Sequence, residues 1–159
     1  MGFARNPAGH PRARAEALSL LGGIAVPGEA RRTLLGLLNS SDASVRLEAA
    51  GVLENCQVLR EVLEQSKEMS LRLRAAELAL RVSGGREALA HLVGDKHVDL
   101  QLYGWYAKGA LEKVVAGLES RRVSMRLLAV RLLPLMSKGA QLRALLTHCA
   151  RDDRARVVR

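Results

Sequence analysis

The chain has 159 residues, of which 48% are hydrophobic and 26% are charged, as in an ordinary soluble domain with a core. No apolar run approaches the roughly 20 residues of a membrane span, and residues 1–15 lack the apolar segment of a signal peptide. The two cysteines, Cys56 and Cys149, do not make a disulfide framework, so we expect a reduced, cytoplasmic protein.

The net charge of +9 is concentrated in the last quarter of the chain. Residues 121–159 carry ten Lys or Arg against two Asp or Glu, whereas residues 1–80 and 81–120 have net charges of +1 and 0. Such asymmetry suggests an acidic partner, nucleic acid or an anionic surface. A compositional origin stays open, because 20 of the 25 basic residues are Arg.

Five segments share one apolar pattern, at spacing i, i+4, i+7, i+8 and i+11, which marks one face of an α-helix. The pattern starts at Ala13, Val45, Leu71, Val98 and Met125, so successive starts lie 26 to 32 residues apart. A period of this size predicts stacked helical repeats. The offset of a residue is defined as its distance along the chain from the start of its pattern.

Shorter amphipathic segments alternate with these pattern helices, so each repeat has a first helix and then a pattern helix. Their predicted bounds are 29–39, 58–66, 86–94, 110–119 and 140–150. Ser41 and Asp42 are typical of an N-cap before a helix that starts near Ala43. Pairs of glycines, such as Gly84 with Gly85, indicate where helices end.

The residues around the second pattern resemble the signature of HEAT and HEAT-like (PBS-lyase-type) repeats. Asp42 stands in the turn, Val45 and Arg46 open the second helix, and the small pair Ala49 and Ala50 comes next. The resemblance implies an all-α, right-handed α-solenoid of about five helix pairs that forms a single domain, 1–159. Its repeats would be roughly 1–27, 28–57, 58–84, 85–109 and 110–139, with a partial repeat at 140–159.

An arginine recurs just after the pattern start, as Arg14, Arg46, Arg72, Arg126 and Arg156. One interpretation is a ladder that binds phosphates. The resemblance favours a structural role, in which each arginine bonds the turn aspartate or the carbonyls of a neighbouring repeat. The fourth repeat departs from the pattern, because Asp99 stands where the others have Arg.

The pattern helices are expected to line the concave face of the solenoid, with offsets 3, 6 and 10 in a solvent-facing stripe. The candidate partner-binding residues on this stripe are Arg74, Arg81, Gln101, Lys108, Leu128, Arg131 and Leu135. Leu128 and Leu135 would form an exposed apolar pair around Arg131, which is typical of an interaction site. The alternative is that a narrowing groove or the next repeat covers the pair.

No catalytic motif or metal-ligand spacing is present in the sequence, so we expect no enzyme, metal or cofactor. Trp105 could stack on a base, but it aligns with core leucines, and both it and Tyr103 are predicted to be buried. The favoured function is therefore a scaffold that binds an acidic protein or peptide on the concave face.

Two alternatives remain. The first is nucleic-acid binding through the basic C-terminal quarter, with candidate phosphate contacts at Arg121, Arg122, Arg143, Arg151 and Arg154. The second, which the resemblance implies, is a subunit of a HEAT-like lyase or repair-type enzyme. Since each repeat of a solenoid buries its face only against a neighbour, we also expect self-association or a longer parent array.

Overall fold

The computed structural model describes residues 28–136 and Thr147. The chain forms two compact units, residues 1–89 and 90–159. The described part of the first unit contains α1 (Gly28–Leu37), α2 (Ala43–Val52), α3 (Cys56–Gln65), α4 (Met69–Ala79) and α5 (Gly85–Leu89). That of the second contains the 3-10 helix Ala90–Gly94, α6 (Val98–Lys108), α7 (Leu111–Ala116), the 3-10 helix Gly117–Glu119 and α8 (Val123–Met136).

The expectation of an all-α protein is confirmed for residues 28–136, where every regular element is a helix. The pattern helices are α2, α4, α6 and α8, and the shorter segments between them are helical too. The predicted N-cap is also correct, because the side chain of Asp42 accepts a hydrogen bond from the amide of Val45 at 3.0 Å. The predicted helices at 13–24 and 140–150 lie outside the described residues.

The first unit builds its core from aliphatic residues of successive helices. Leu34 and Leu37 of α1 pack with Val45 and Ala49 of α2 in one buried cluster. One period further along, α4 packs against both α2 and α3. Gly51 permits this approach of α2 and α4, because a Cβ atom there would lie 2.8 Å from Leu78 of α4.

In the second unit, α6 packs against the 3-10 helix Ala90–Gly94, against α7 and against α8. Gly104 makes the first of these contacts possible, since a Cβ atom at this position would collide with the backbone of Leu92 and Val93. Leu100 and Leu102 of α6 are fully buried.

The two aromatic residues of α6 behave differently. Tyr103 is buried, as predicted. The prediction for Trp105 is wrong, because its side chain is only half-buried, whereas Leu78 and Leu132 at the same offset are buried. The indole is bulkier than these leucines, and part of it stays outside the space between the helices.

Candidate functional site

The arginines at the helix starts hold the turns that precede them. Arg46 donates hydrogen bonds from Nη1 to the carbonyl oxygens of Ser40 and Ser41. Arg126 makes the equivalent bond, from Nη1 to the carbonyl oxygen of Ser120, at 2.9 Å. In both cases the guanidinium group donates a hydrogen bond to a backbone carbonyl oxygen in the turn just before a pattern helix.

Arg72, between these two in sequence, makes a related contact. Its Nε donates to the carbonyl oxygen of Leu63 in α3, at 2.7 Å. The structural interpretation is confirmed for the three described members in that each binds a backbone carbonyl oxygen. The predicted location of these carbonyls is wrong, because they belong to the same repeat and not to a neighbouring one. Arg14 and Arg156 lie outside the described residues.

In the fourth repeat a glutamine, not an arginine, hydrogen-bonds the turn before the pattern helix. Asp99 cannot donate to a carbonyl oxygen, but Gln101 lies two residues later, and its Nε2 donates to the carbonyl oxygen of Asp95 at 2.6 Å. Asp99 instead accepts a hydrogen bond from Ser124 Oγ of α8 at 3.1 Å. Gln101, a predicted partner-binding residue, thus has its amide group bound to the turn.

The predicted stripe of the first unit contains an ion-pair network. Arg74 of α4 donates two hydrogen bonds to the buried carboxylate of Glu48 in α2, from Nε to Oε1 at 2.6 Å and from Nη2 to Oε2 at 3.0 Å. Its Nη1 also reaches Glu77 at 3.2 Å. The hydrogen bond to Glu48 raises the pKa of Arg74. The charge of Arg74 is therefore balanced by its neighbours, while Arg81 at the end of this stripe is exposed.

The predicted stripe of the second unit includes one clear error. Leu128 was expected to be exposed, but it is only 8% accessible. Glu48 has the same offset of 3 in α2 and is buried as well, so this offset lies at the edge of the packed face. Leu135 is 55% exposed, as expected. The side chains of Lys108 and Arg131 are also exposed.

The outer face of α8 carries a larger apolar surface than the predicted stripe. Val123, Leu127 and Val130 are 58%, 60% and 39% exposed, and Leu135 is exposed further around the same helix. These are four of the six large hydrophobic residues that are exposed within residues 28–136. The first three were missed because their offsets lie outside the predicted stripe. The available signal was that α8 is apolar on more than one face.

Basic side chains accompany this apolar surface. Arg121 and Arg122 are exposed immediately before α8, and Arg131 is exposed on the helix itself. The other candidate phosphate contacts, Arg143, Arg151 and Arg154, lie outside the described residues.

Other kinds of site find no support in the part of the chain that the structure covers. Within that part, no group of three or more His, Cys, Asp or Glu side chains is placed to hold a metal ion. None of the described helices has the length and hydrophobicity needed to cross a membrane. Comparison with models of protein families and with curated proteins finds no match.

Proposed function

We propose that the chain is a HEAT-like, right-handed α-solenoid that acts as a non-enzymatic scaffold and binds an acidic protein or peptide. The observation that carries this proposal is the apolar surface of α8, which is exposed beside Arg131. Large exposed aliphatic side chains next to an arginine are the composition of a protein-binding surface.

The packing of the pattern helices supports the solenoid. Glu48 of α2 binds Arg74 of α4, which lies 26 residues further along the chain. Asp99 of α6 binds Ser124 of α8, which lies 25 residues further along. Contacts at one repeat length, found separately in each unit, are typical of a stack in which each repeat touches its neighbour.

The chemistry of the partner is indicated by the basic residues whose side chains are exposed on the predicted stripe. Arg46, Arg72 and Arg126 are bound to backbone carbonyls, and Arg74 is bound to carboxylates. Exposed basic side chains of the predicted stripe are those of Arg81, Lys108 and Arg131. An amphipathic helix with leucine-like residues on one face and carboxylates at its margin would match Leu135 and Arg131 of α8.

The test is a capture experiment from nuclease-treated lysate, with the wild-type chain and a variant that combines Arg131→Glu with Leu135→Asp. The matched control is Leu35→Asp, because Leu35 of α1 is exposed to a similar extent but lies far from α8 in sequence. We expect a partner that the wild type and the control both retain and the double variant loses. Equal retention by all three chains would refute the site on α8.

Nucleic-acid binding is the second candidate, favoured by the exposure of Arg121 and Arg122. No aromatic residue interleaves with these arginines, so base stacking would not contribute. Salt titration with a duplex oligonucleotide distinguishes the two functions. If nucleic acid is the ligand, replacing both arginines with alanine lowers the log–log salt slope by about 2. Tight binding that persists at physiological salt would overturn the scaffold proposal.

A further inference from the structure

Four exposed residues of α8 form an apolar strip along the helix. They are Val123, Leu127, Val130 and Pro134, at spacing i, i+4, i+7 and i+11. At 100° per residue their side chains lie within about 60° of one another around the helix axis, and at 1.5 Å per residue the strip is about 17 Å long. The solvent-facing side of a helix ordinarily carries polar residues at these positions. We call these four residues the outer strip.

The charge around the outer strip has a single sign. Residues 121–136 contain four arginines and neither Asp nor Glu. Arg121 and Arg122 are exposed at the N-terminal end of α8, and Arg131 is exposed on the helix beside the strip. A second copy that paired through the same strip would bring two sets of arginines together, and like charges repel. The charge therefore matches an acidic ligand and not another molecule of this chain.

The helical backbone of α8 determines which peptide conformation can lie on the outer strip. Most amide and carbonyl groups of an α-helix are bonded within the helix, so the strip offers few of them to an extended peptide. An extended peptide over these apolar side chains would bury backbone groups without partners, which costs free energy. A helical ligand satisfies its own backbone, and its side chains at i, i+4 and i+7 can follow the strip.

We propose that the partner contributes an amphipathic helix that lies along the outer strip, with carboxylates at the end that meets Arg121 and Arg122. This inference rests on the proposed function and names the binding element of the partner. It extends the site from Arg131 and Leu135 to the N-terminal end of α8. A guanidinium group can bind a carboxylate through two parallel hydrogen bonds, so these two arginines would fix the position of the partner along the strip.

Fluorescence anisotropy with stapled helical peptides tests the proposal on the whole chain. The acidic peptide carries leucines at i, i+4 and i+7 and two glutamates in its first turn, and the basic peptide has lysines in place of the glutamates. We expect the wild type to bind the acidic peptide at least about tenfold more tightly than the basic one. Arg121→Glu combined with Arg122→Glu should reverse this preference, because attraction is replaced by repulsion.

Two further variants separate the site from the overall charge. Arg31→Glu combined with Arg32→Glu changes the net charge of the chain equally, at an exposed arginine pair of α1. This matched control should keep the preference for the acidic peptide. Leu127→Ser should weaken the binding of both peptides, because it removes apolar contact area from the middle of the strip.

Three results would overturn the proposal. The first is equal affinity of the wild type for the two peptides, and the second is a preference that survives the reversal of Arg121 and Arg122. The third is binding to phosphatidylglycerol vesicles but to neither peptide, which would identify a lipid surface. The proposed function is decided separately, by the capture experiment with Arg131→Glu and Leu135→Asp, so the two failures are distinguishable.

Discussion

Replacing Arg74 with methionine tests whether the network between α2 and α4 stabilises the first unit. The substitution keeps most of the aliphatic stem but removes the guanidinium group. Glu48 then loses the two hydrogen bonds of 2.6 and 3.0 Å, while its carboxylate stays buried against α2.

The magnitude depends on how much water reaches the pair. Breaking a fully buried ion pair costs about 3–5 kcal/mol, because the remaining charge keeps its desolvation penalty. The side chain of Arg74 is 32% exposed, and that of Glu48 is 8% exposed. Water can therefore solvate the vacated side of Glu48 in part, and we expect Arg74→Met to lower the free energy of unfolding by about 2 kcal/mol.

Urea denaturation followed by circular dichroism measures this change. The matched control is Arg60→Met in α3, which removes an i,i+4 pair with Glu64 whose two side chains are largely exposed. No measurable loss of stability is expected there. The double variant Glu48→Leu, Arg74→Leu should recover most of the stability, because no buried charge remains. A stability of Arg74→Met equal to that of the wild type would refute the reasoning, as would a double variant no more stable than the single one.

Three further predictions concern the backbone and the described cysteine. Gly104→Ala should lower the free energy of unfolding by about 3 kcal/mol in urea denaturation, since the new Cβ would meet backbone that cannot move easily, whereas Gly94→Ala has open space and serves as the control. Glu54 has a positive φ of 54°, so Glu54→Gly should raise the melting temperature through a gain of about 0.5–1 kcal/mol, and a loss would contradict the strain argument. Burial raises the pKa of Cys56, and the nearby carboxylates of Glu54 and Glu87 raise it further. The alkylation rate of Cys56, followed by mass spectrometry of the peptide that contains it, should therefore keep increasing with pH above the usual thiol pKa of about 8.5. A rate that levels off at that pH would show that these groups do not affect the thiol.

The helices could be predicted from the sequence because their apolar periodicity and caps agree. Asp42 starts α2 as its position indicates, and the patterns at Val98 and Met125 fall on α6 and α8. The prediction fails at helix ends: Cys56 continues the second pattern by spacing but begins α3 in the structure, and Val82 continues the third pattern although α4 ends at Ala79. Asn55 explains the first of these, because its side chain accepts a hydrogen bond from the amide of Val58 at 3.2 Å and caps the new helix.

The surface was harder to predict than the helices, because an offset gives a direction around a helix and not what lies in that direction. Leu128 was assigned to solvent by its offset, yet it is buried. The pair Glu48 and Arg74 could have been found, since both have offset 3 in consecutive repeats and carry opposite charges. The opposite charges are visible in the sequence. They predict a contact only if residues with the same offset lie next to each other in consecutive repeats.

In the fourth repeat Asp99 stands at the arginine position and Gln101 binds the turn instead. This substitution shows which interaction is required at the start of a pattern helix. In α2 and α8 an arginine binds a turn carbonyl six residues earlier in the sequence, and in α6 the glutamine does so over the same separation. A neutral amide performs this task, so the requirement is for a donor to the turn, not for a positive charge. The recurrence of arginine at the helix starts is therefore no argument for a phosphate ligand. What argues for a partner is the exposed apolar face of α8 and the basic residues beside it.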